Sequence, residues 1–287
     1  QSAHRISILT YAYIITPCPT DISLTDAMNN MSFGPTSTVR TVSYQPAIKI
    51  LIANAKGGSG KTTLATNLAC QFARIGETTM LIDHDPQGSA TDWLALRSHR
   101  LPIIDGIAAT KERHRAGSTL SWRMRLTPST QRVVIDTPAG LHGNELSDLV
   151  AQADIVLIPV IPSAIDMRAI TEFIQDLMKS QAYRQKARPI AVIANRVKRN
   201  TLSFGALKKF LDELHIPFVA SLRDTQFYVR AGENGFGVVD FDRQHIKEQE
   251  EWQPLMRWLN ESIQTIRASK AESKPNSSYQ SNSETST

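Results

Sequence analysis

Two lysines, three glycines and two threonines fall in one short run of this chain, Lys56-Gly57-Gly58-Ser59-Gly60-Lys61-Thr62-Thr63. Glycine lets a backbone turn tightly enough for successive N–H groups to point at one anion. Lys61 is then placed to neutralise the β- and γ-phosphates of a nucleoside triphosphate, and the Thr62 hydroxyl to ligate Mg²⁺. A largely apolar run, Ile48 to Asn54, precedes the glycines, and a helical pattern from Gly60 to Ile75 follows them. Strand, glycine loop and helix start, in that order, set the positive end of the helix dipole against the same anion. A glycine-rich turn with no ligand is the plainer alternative, and the strand–loop–helix context argues against it.

Carboxylates stand at the ends of two further apolar runs. Asp83-His84-Asp85-Pro86-Gln87-Gly88 follows Met80-Leu81-Ile82, and Asp136 closes Val133-Val134-Ile135 and opens Asp136-Thr137-Pro138-Ala139-Gly140. A carboxylate at the carboxyl end of a buried strand can hold Mg²⁺ directly or through water. An apolar trio followed by Asp is common by itself; a phosphate loop upstream gives it meaning. Asp85-Pro86-Gln87-Gly88 also reads as a helix-starting turn, and the two readings are compatible. His84, His142 and His215 lack metal-ligand spacing and read as surface or satisfied core residues. The two cysteines, Cys18 and Cys70, form no C-x-x-C pair and are too few for a disulfide framework, so a reducing cytosol is the simplest setting. Cys70 falls in the first helix at a position that packs inward.

The elements that must position these groups follow from apolar runs. Besides Ile48–Asn54, Met80–Ile82 and Val133–Ile135, strands are expected at Ile155–Val160, Ile190–Ala194 and Pro217–Leu222, with helical stretches between. Strands apolar on both faces, alternating with helices, imply an α/β fold: a P-loop NTPase-like, mostly parallel sheet with helices on both faces, in a single domain. Trp252, Leu255, Met256, Leu259, Ile263 and Ile266 recur at helical spacing and give a closing amphipathic helix. Residues 1–46 are rich in Ser, Thr, Pro and Asn and read as a disordered extension, despite a short apolar stretch from Ile6 to Ile15. The ordered domain is expected over 47–268, and a disordered polar tail over 269–287. The 287 residues are 41% hydrophobic and 21% charged with net charge +5, an ordinary globular balance tilted towards anionic partners. No stretch approaches the ~20 apolar residues of a membrane span.

One departure from the common phosphate-loop pattern is informative. G-x-x-x-x-G-K-[ST] would place glycine at position 55, where this chain has Ala55 followed by Lys56. The K-G-G-x-G-K-T-T arrangement resembles the ParA/MinD family of deviant Walker A ATPases, most nearly the small ParA-type partition and positioning proteins. The resemblance covers roughly residues 47 to 260. It implies ATP and Mg²⁺ as cofactors, held by Lys56 to Thr63 with Thr62, Asp83 and Asp136 towards the metal. It implies that Lys56 crosses an ATP-dependent homodimer to the partner's phosphates, that Lys61 and Lys56 stabilise charge on the transferred phosphoryl group, and that Asp85 positions water. Ile158-Pro159-Val160-Ile161-Pro162-Ser163 with Asp166 resembles a further family segment, and Asn195 matches the place where relatives contact adenine. The implied partners are non-specific DNA of the nucleoid and a cargo-bound activator of slow hydrolysis, in the cytoplasm and on the nucleoid. Lys198, Arg199, Arg223 and Arg230 are DNA-contact candidates, with Arg196, Arg243 and Lys247 nearby. A MinD-like membrane-associated positioning ATPase is the alternative, though the closing helix has core spacing and a polar tail follows it. A metabolic ligase on the same scaffold would need a second substrate pocket that the motifs do not supply.

Overall fold

The computed structural model describes residues 45–109, 126–198, 201–213, 216–241 and 246–272. All of them fall in one compact unit beginning at position 44. Within it a seven-stranded sheet runs in the order β3-β2-β4-β1-β5-β6-β7, and every strand pair is parallel. The strands are β1 (Ile48–Ile52), β2 (Thr79–Asp83), β3 (Ile104–Ala108), β4 (Arg132–Asp136), β5 (Ile155–Val160), β6 (Ile190–Val197) and β7 (Phe218–Arg223). The helices, in chain order, are α1 (Lys61–Arg74), α2 (Ser89–Leu96), α3 (Gly143–Gln152), α4 (Ala164–Lys179), α5 (Gln181–Gln185), α6 (Leu202–Glu213), α7 (Gln226–Glu233), α8 (Ile246–Glu250) and α9 (Gln253–Glu272). A 3₁₀ turn spans Val238–Asp240.

Alternation along the strands splits the core in two. On one face Leu51, Val133, Ile135, Val156 and Ile158 pack with Leu146 and Leu149 of α3, Ile170 and Phe173 of α4, and Leu207 and Leu211 of α6. On the other, Ile50, Ile52, Val134 and Leu157 pack with Leu64 and Leu68 of α1, Trp93 of α2, and Leu255, Leu259 and Ile263 of α9. Both faces are covered, which is why the strand sequences read as continuous apolar runs. Each such fully buried side chain contributes roughly 1.5–3 kcal/mol of transfer free energy.

Central placement of β1 matters most. The chain leaves it towards β2 and β4 on one side, then crosses to β5, β6 and β7 on the other, so the carboxyl end of β1 is the point where strand order reverses. Register sets Ile52 level with Asp136, and Asp136 level with Asp83. The motif carboxylates therefore lie on the rim where the glycine loop leaves the sheet.

Some boundaries differ from the sequence pattern. β3 shows no apolar run because Asp105 and Gly106 sit exposed at the sheet edge, between buried Ile104 and Ile107. The closing helix continues past Ala268 to Glu272, where Lys270 Nζ donates to Asp154 Oδ1 at 2.9 Å. The other oxygen of Asp154 accepts from the Lys49 N–H at 3.0 Å, so the helix end is tied to the start of β1.

A buried ion pair joins α2 to the segment after α7. Arg97 Nη1 and Nη2 donate to the two carboxylate oxygens of Asp240 at 2.7 and 3.2 Å, with both side chains almost wholly buried. Replacing a single partner strands a buried charge. Asp240→Ala should cost about 3 kcal/mol of unfolding free energy, read as a lower urea midpoint with an unchanged slope.

Candidate functional site

Between β1 and α1 the backbone bends through two left-handed glycines, Gly58 at φ 74° and Gly60 at φ 89°. At position 60 glycine is required twice over, because a Cβ there would also lie 2.0 Å from the Asn195 amide nitrogen. α1 then opens at Lys61 with no side-chain cap and no acidic residue in its first turn. Its first N–H groups and its positive dipole end are thus left for an anion from outside the helix.

Internal bonds hold this loop on several sides. Lys61 is only 6% exposed, and its Nζ donates to the Lys56 carbonyl at 3.1 Å. Burial lowers its pKa, with Asp136 and Asp85 opposing that shift. The Ser59 hydroxyl donates to the same carbonyl at 3.2 Å. Asn54 accepts from the Lys56 N–H at 2.9 Å and donates to Pro159 O of β5 at 2.7 Å. Gly140 N–H, from the loop after β4, donates to Ala55 O at 2.6 Å. Lys56 itself turns its side chain to Asp166 in the first turn of α4, Nζ to Oδ1 2.6 Å, while remaining 36% exposed. Asp166 is held in turn by Ser163, whose hydroxyl donates to its carboxylate and accepts from its N–H.

The metal-side residues form a compact set. Thr62 Oγ1 donates to Asp136 Oδ2 at 2.7 Å, and the Thr137 N–H donates to Asp136 Oδ1 at 3.1 Å. Asp136 is 0% exposed. Burial pushes its carboxyl up to about 7, the Thr62 hydroxyl opposing the rise. A buried acid whose ionised form is this costly is one that a divalent cation would stabilise. No group of three or more acidic, His or Cys side chains that could hold a metal alone occurs among the described residues. The Thr62–Asp136 pair therefore suits a hard cation that brings most of its oxygen shell with it, as Mg²⁺ on phosphates does. Asp83 sits close to Asp136 but spends both oxygens locally. Oδ1 accepts from the Asp85 N–H at 3.0 Å, and Oδ2 accepts from the N–H and hydroxyl of Thr91 at 2.9 and 3.0 Å. That geometry anchors the turn after β2 to the start of α2. Asp85, half-buried, accepts from the Gln87 N–H at 2.9 Å.

Asn195 closes the site from β6, donating from Nδ2 to Ser59 O at 2.9 Å. Beside it lies a cavity of about 260 Å³ lined by Thr63, Asn195, Arg196, Thr225, Gln226 and Tyr228. Asn54 was not singled out in the sequence; an asparagine directly after a strand that enters a glycine loop is the signal that could have found it.

A match to the CobQ/CobB/MinD/ParA nucleotide binding domain family spans residues 50–238. The chain belongs to that family. The matched span takes in the loop, Asp136 and Asn195, and ends before α9. Among similar proteins, the maintenance of carboxysome distribution protein A of Gloeobacter kilaueensis is 31% identical over 219 residues, 76% of this chain and 92% of that protein. The protein of the same name from Halothiobacillus neapolitanus is 27% identical over 198 residues, 67% of this chain and 87% of that one. A solved structure of a putative plasmid partition protein from Borrelia burgdorferi, bound to AMPPNP, superposes with a TM-score of 0.60 at 21% identity, covering 75% of this chain and 100% of that one. At that identity the likeness is one of fold.

Basic residues around the nucleotide-binding domain are used unevenly. Arg223 is drawn into two carboxylates, its Nε donating to Glu251 Oε1 at 2.8 Å with Glu248 Oε1 3.5 Å from Nη1. Its N–H donates to Glu251 Oε2 at 3.1 Å. Those hydrogen bonds to Glu251 hold its charge, and the pKa is raised accordingly. Arg223 thus pins β7 to α8 and the turn that follows it. Lys198 lies 3.9 Å from Asp224 with its side chain largely in solvent, and Arg230 is exposed in the last turn of α7. Lys247 stands on α8, while Arg199, Arg243, His215 and Cys18 lie outside the described residues. His84 is buried, and His142 is exposed with Nδ1 against Gly140 O. Cys70 is buried, and burial pushes its thiol well up, leaving it protonated and inert.

Asp136 generates a pH prediction. Its folded-state pKa of about 7 exceeds the ordinary 3.8, so the folded chain binds the extra proton between those values. The stability from this group is present below the lower value and is lost as pH rises through about 7. In chelator and without nucleotide, Asp136→Asn should remove that slope. Its urea midpoint should then fall less than that of the unmutated chain between about pH 5 and pH 8.

Proposed function

We infer that this chain is a ParA-type ATPase that binds MgATP in the loop from Lys56 to Thr63 and pairs with a second copy when ATP is bound. The pair holds DNA without sequence preference and positions a cargo, and a cargo-bound partner stimulates slow hydrolysis. The observation that carries this reading is Lys56. Its backbone is fixed by Asn54 at the mouth of a phosphate loop, while its side chain remains partly exposed and is held by a carboxylate on another helix. A second lysine at that position, beyond the buried Lys61, is redundant for a single chain and useful to a neighbouring one.

Bound Mg²⁺ would supply positive charge to the β- and γ-phosphates, with Thr62 and Asp136 as its protein oxygens. The chain's own residues do the rest. The N–H groups of the loop and the start of α1 orient the phosphates. Lys61 neutralises them in a setting where burial strengthens the interaction. Asp85 stands on the turn beside Asp83 to orient the attacking water, with the turn's position set by Thr91. Lys56, once it leaves Asp166, adds a cation across the pair where charge develops in the transition state.

The cargo reading draws on the relatives named for carboxysome distribution and on the family's ParA and MinD members. For DNA, Lys198 and Arg230 are the exposed cations supporting the proposal, with Arg199 beyond the described residues; Arg223 leaves it because its charge is already held. A membrane-surface reading gains nothing from α9, whose apolar stripe of Leu255, Leu259 and Ile263 is buried against the sheet. No described helix is long and apolar enough to cross a membrane.

Lys56→Ala should keep ATP affinity in a binding titration while partner- or dimer-dependent hydrolysis falls by on the order of a hundredfold or more; undiminished turnover would remove Lys56 from catalysis. Arg230→Glu should weaken DNA retention in ATP, lower the slope of log K against log salt by about 1 per contact, and leave ATP binding alone. Retention that is equal in ADP and ATP would contradict the switch itself.

A further inference from the structure

Asn195 is expected, from the family resemblance, to touch the adenine base. Its side chain is committed elsewhere. Nδ2 donates to the Ser59 carbonyl across 136 positions of sequence, and both residues are buried. Oδ1 accepts from the N–H of Arg196 at 3.0 Å. Reversing the amide would set oxygen against oxygen and NH₂ against N–H, so these two contacts fix its orientation. Arg196 has φ 51°, the only left-handed residue other than glycine among those described. Such a conformation is costly for a side-chain-bearing residue and persists where the surroundings hold it; here Asn195 captures its N–H.

The consequence for the loop follows from peptide geometry. In a trans peptide the C=O and the next N–H point in opposite directions. Drawing the Ser59 carbonyl towards β6 therefore turns the Gly60 N–H away from β6. Gly60 has no Cβ, and one would collide with the same amide nitrogen at 2.0 Å. At the other end of the loop Asn54 makes the matching brace, Lys56 N–H to Oδ1 and Nδ2 to Pro159 O. Two buried asparagines thus hold the loop, one from the β1–β5 side and one from β6. An amide has two N–H groups, so with one spent on Ser59 only one remains for a base in the adjoining cavity.

We propose that Asn195 is a positioning residue for the phosphate loop, orienting the Ser59–Gly60 peptide to receive phosphate whatever base the nucleotide carries. This rests on the nucleotide-binding reading above. The test is competition binding of ATP, ITP and tripolyphosphate, each with Mg²⁺, to the unmutated chain, Asn195→Ala and Asn195→Asp, with circular dichroism confirming the fold. Tripolyphosphate carries no base at all, and ITP lacks the adenine 6-amino group while keeping N3 and N7. Asn195→Ala should weaken all three by a similar factor, on the order of tenfold, with the tripolyphosphate arm separating phosphate from base. Asn195→Asp keeps the shape. Ionised, it repels the Ser59 carbonyl; protonated, it donates to it. Its loss on every ligand should therefore shrink, relative to the unmutated chain, as pH falls through the pKa of the introduced carboxyl, and Asn195→Ala should show no such recovery. Loss confined to ATP, or to ATP and ITP with tripolyphosphate unchanged, would assign Asn195 to the base and overturn the proposal, as would unchanged affinity for all three. If the unmutated chain takes up none of them, the nucleotide reading fails and the proposal with it.

Discussion

A short run of backbone between β1 and α1 has to keep its N–H groups turned the same way, and a run of like-directed dipoles repels itself. The rest of the fold can be understood as scaffolding for that curve. Left-handed turns at Gly58 and Gly60 allow it sterically. Asn54 and Asn195 secure its two ends, the Lys61 ammonium and the Ser59 hydroxyl converge on the Lys56 carbonyl, and Gly140 ties Ala55 to the loop after β4. Apart from Lys61, which opens α1, these partners come from a strand end or the loop that follows it, on the carboxyl rim of one parallel sheet. The central position of β1, with β4 and β5 on either side, is what brings them within reach.

The same rim concentrates unfavourable electrostatics that a ligand could relieve. Asp136 is deeply buried and its ionised form disfavoured; Lys61 is buried and its charged form likewise disfavoured. Neither cost is cancelled by a direct ion pair between them; Thr62 donates to one and the Lys56 carbonyl accepts from the other. A polyanion carrying a divalent cation offers a counter-charge to each. Lys56 differs in being more exposed and held by Asp166, so its charge can be handed to another acceptor at smaller desolvation cost. Two lysines five positions apart in sequence thus occupy different electrostatic settings, which is the basis for giving them different roles.

Much of this was legible in the residues because the signals were local. β1, β2, β4, β5 and β6 are apolar on both faces and announced themselves. The glycine loop and the Asp136 strand end were readable since chemistry and secondary structure coincide there. β3 was hidden because an edge strand tolerates Asp105 and Gly106. Contacts made at long range were hidden for a different reason. Nothing near Arg223 in sequence shows that Glu248 and Glu251 will hold it, so a plausible surface cation turned out to be a tether. Nothing near Asn195 shows that Ser59 is its partner, and nothing near Lys56 shows Asp166. Charge type can be read from a sequence, but which charges are already spent depends on the fold.

Whether the loop between β1 and α1 grips a nucleotide can be read by isothermal calorimetry of MgATP binding to the nucleotide-free chain and to Lys61→Ala. Uptake of one nucleotide per chain, dependent on Mg²⁺, is expected, and its loss in the variant with the fold intact. Equal uptake by both proteins, or none by the folded unmutated chain, would contradict it.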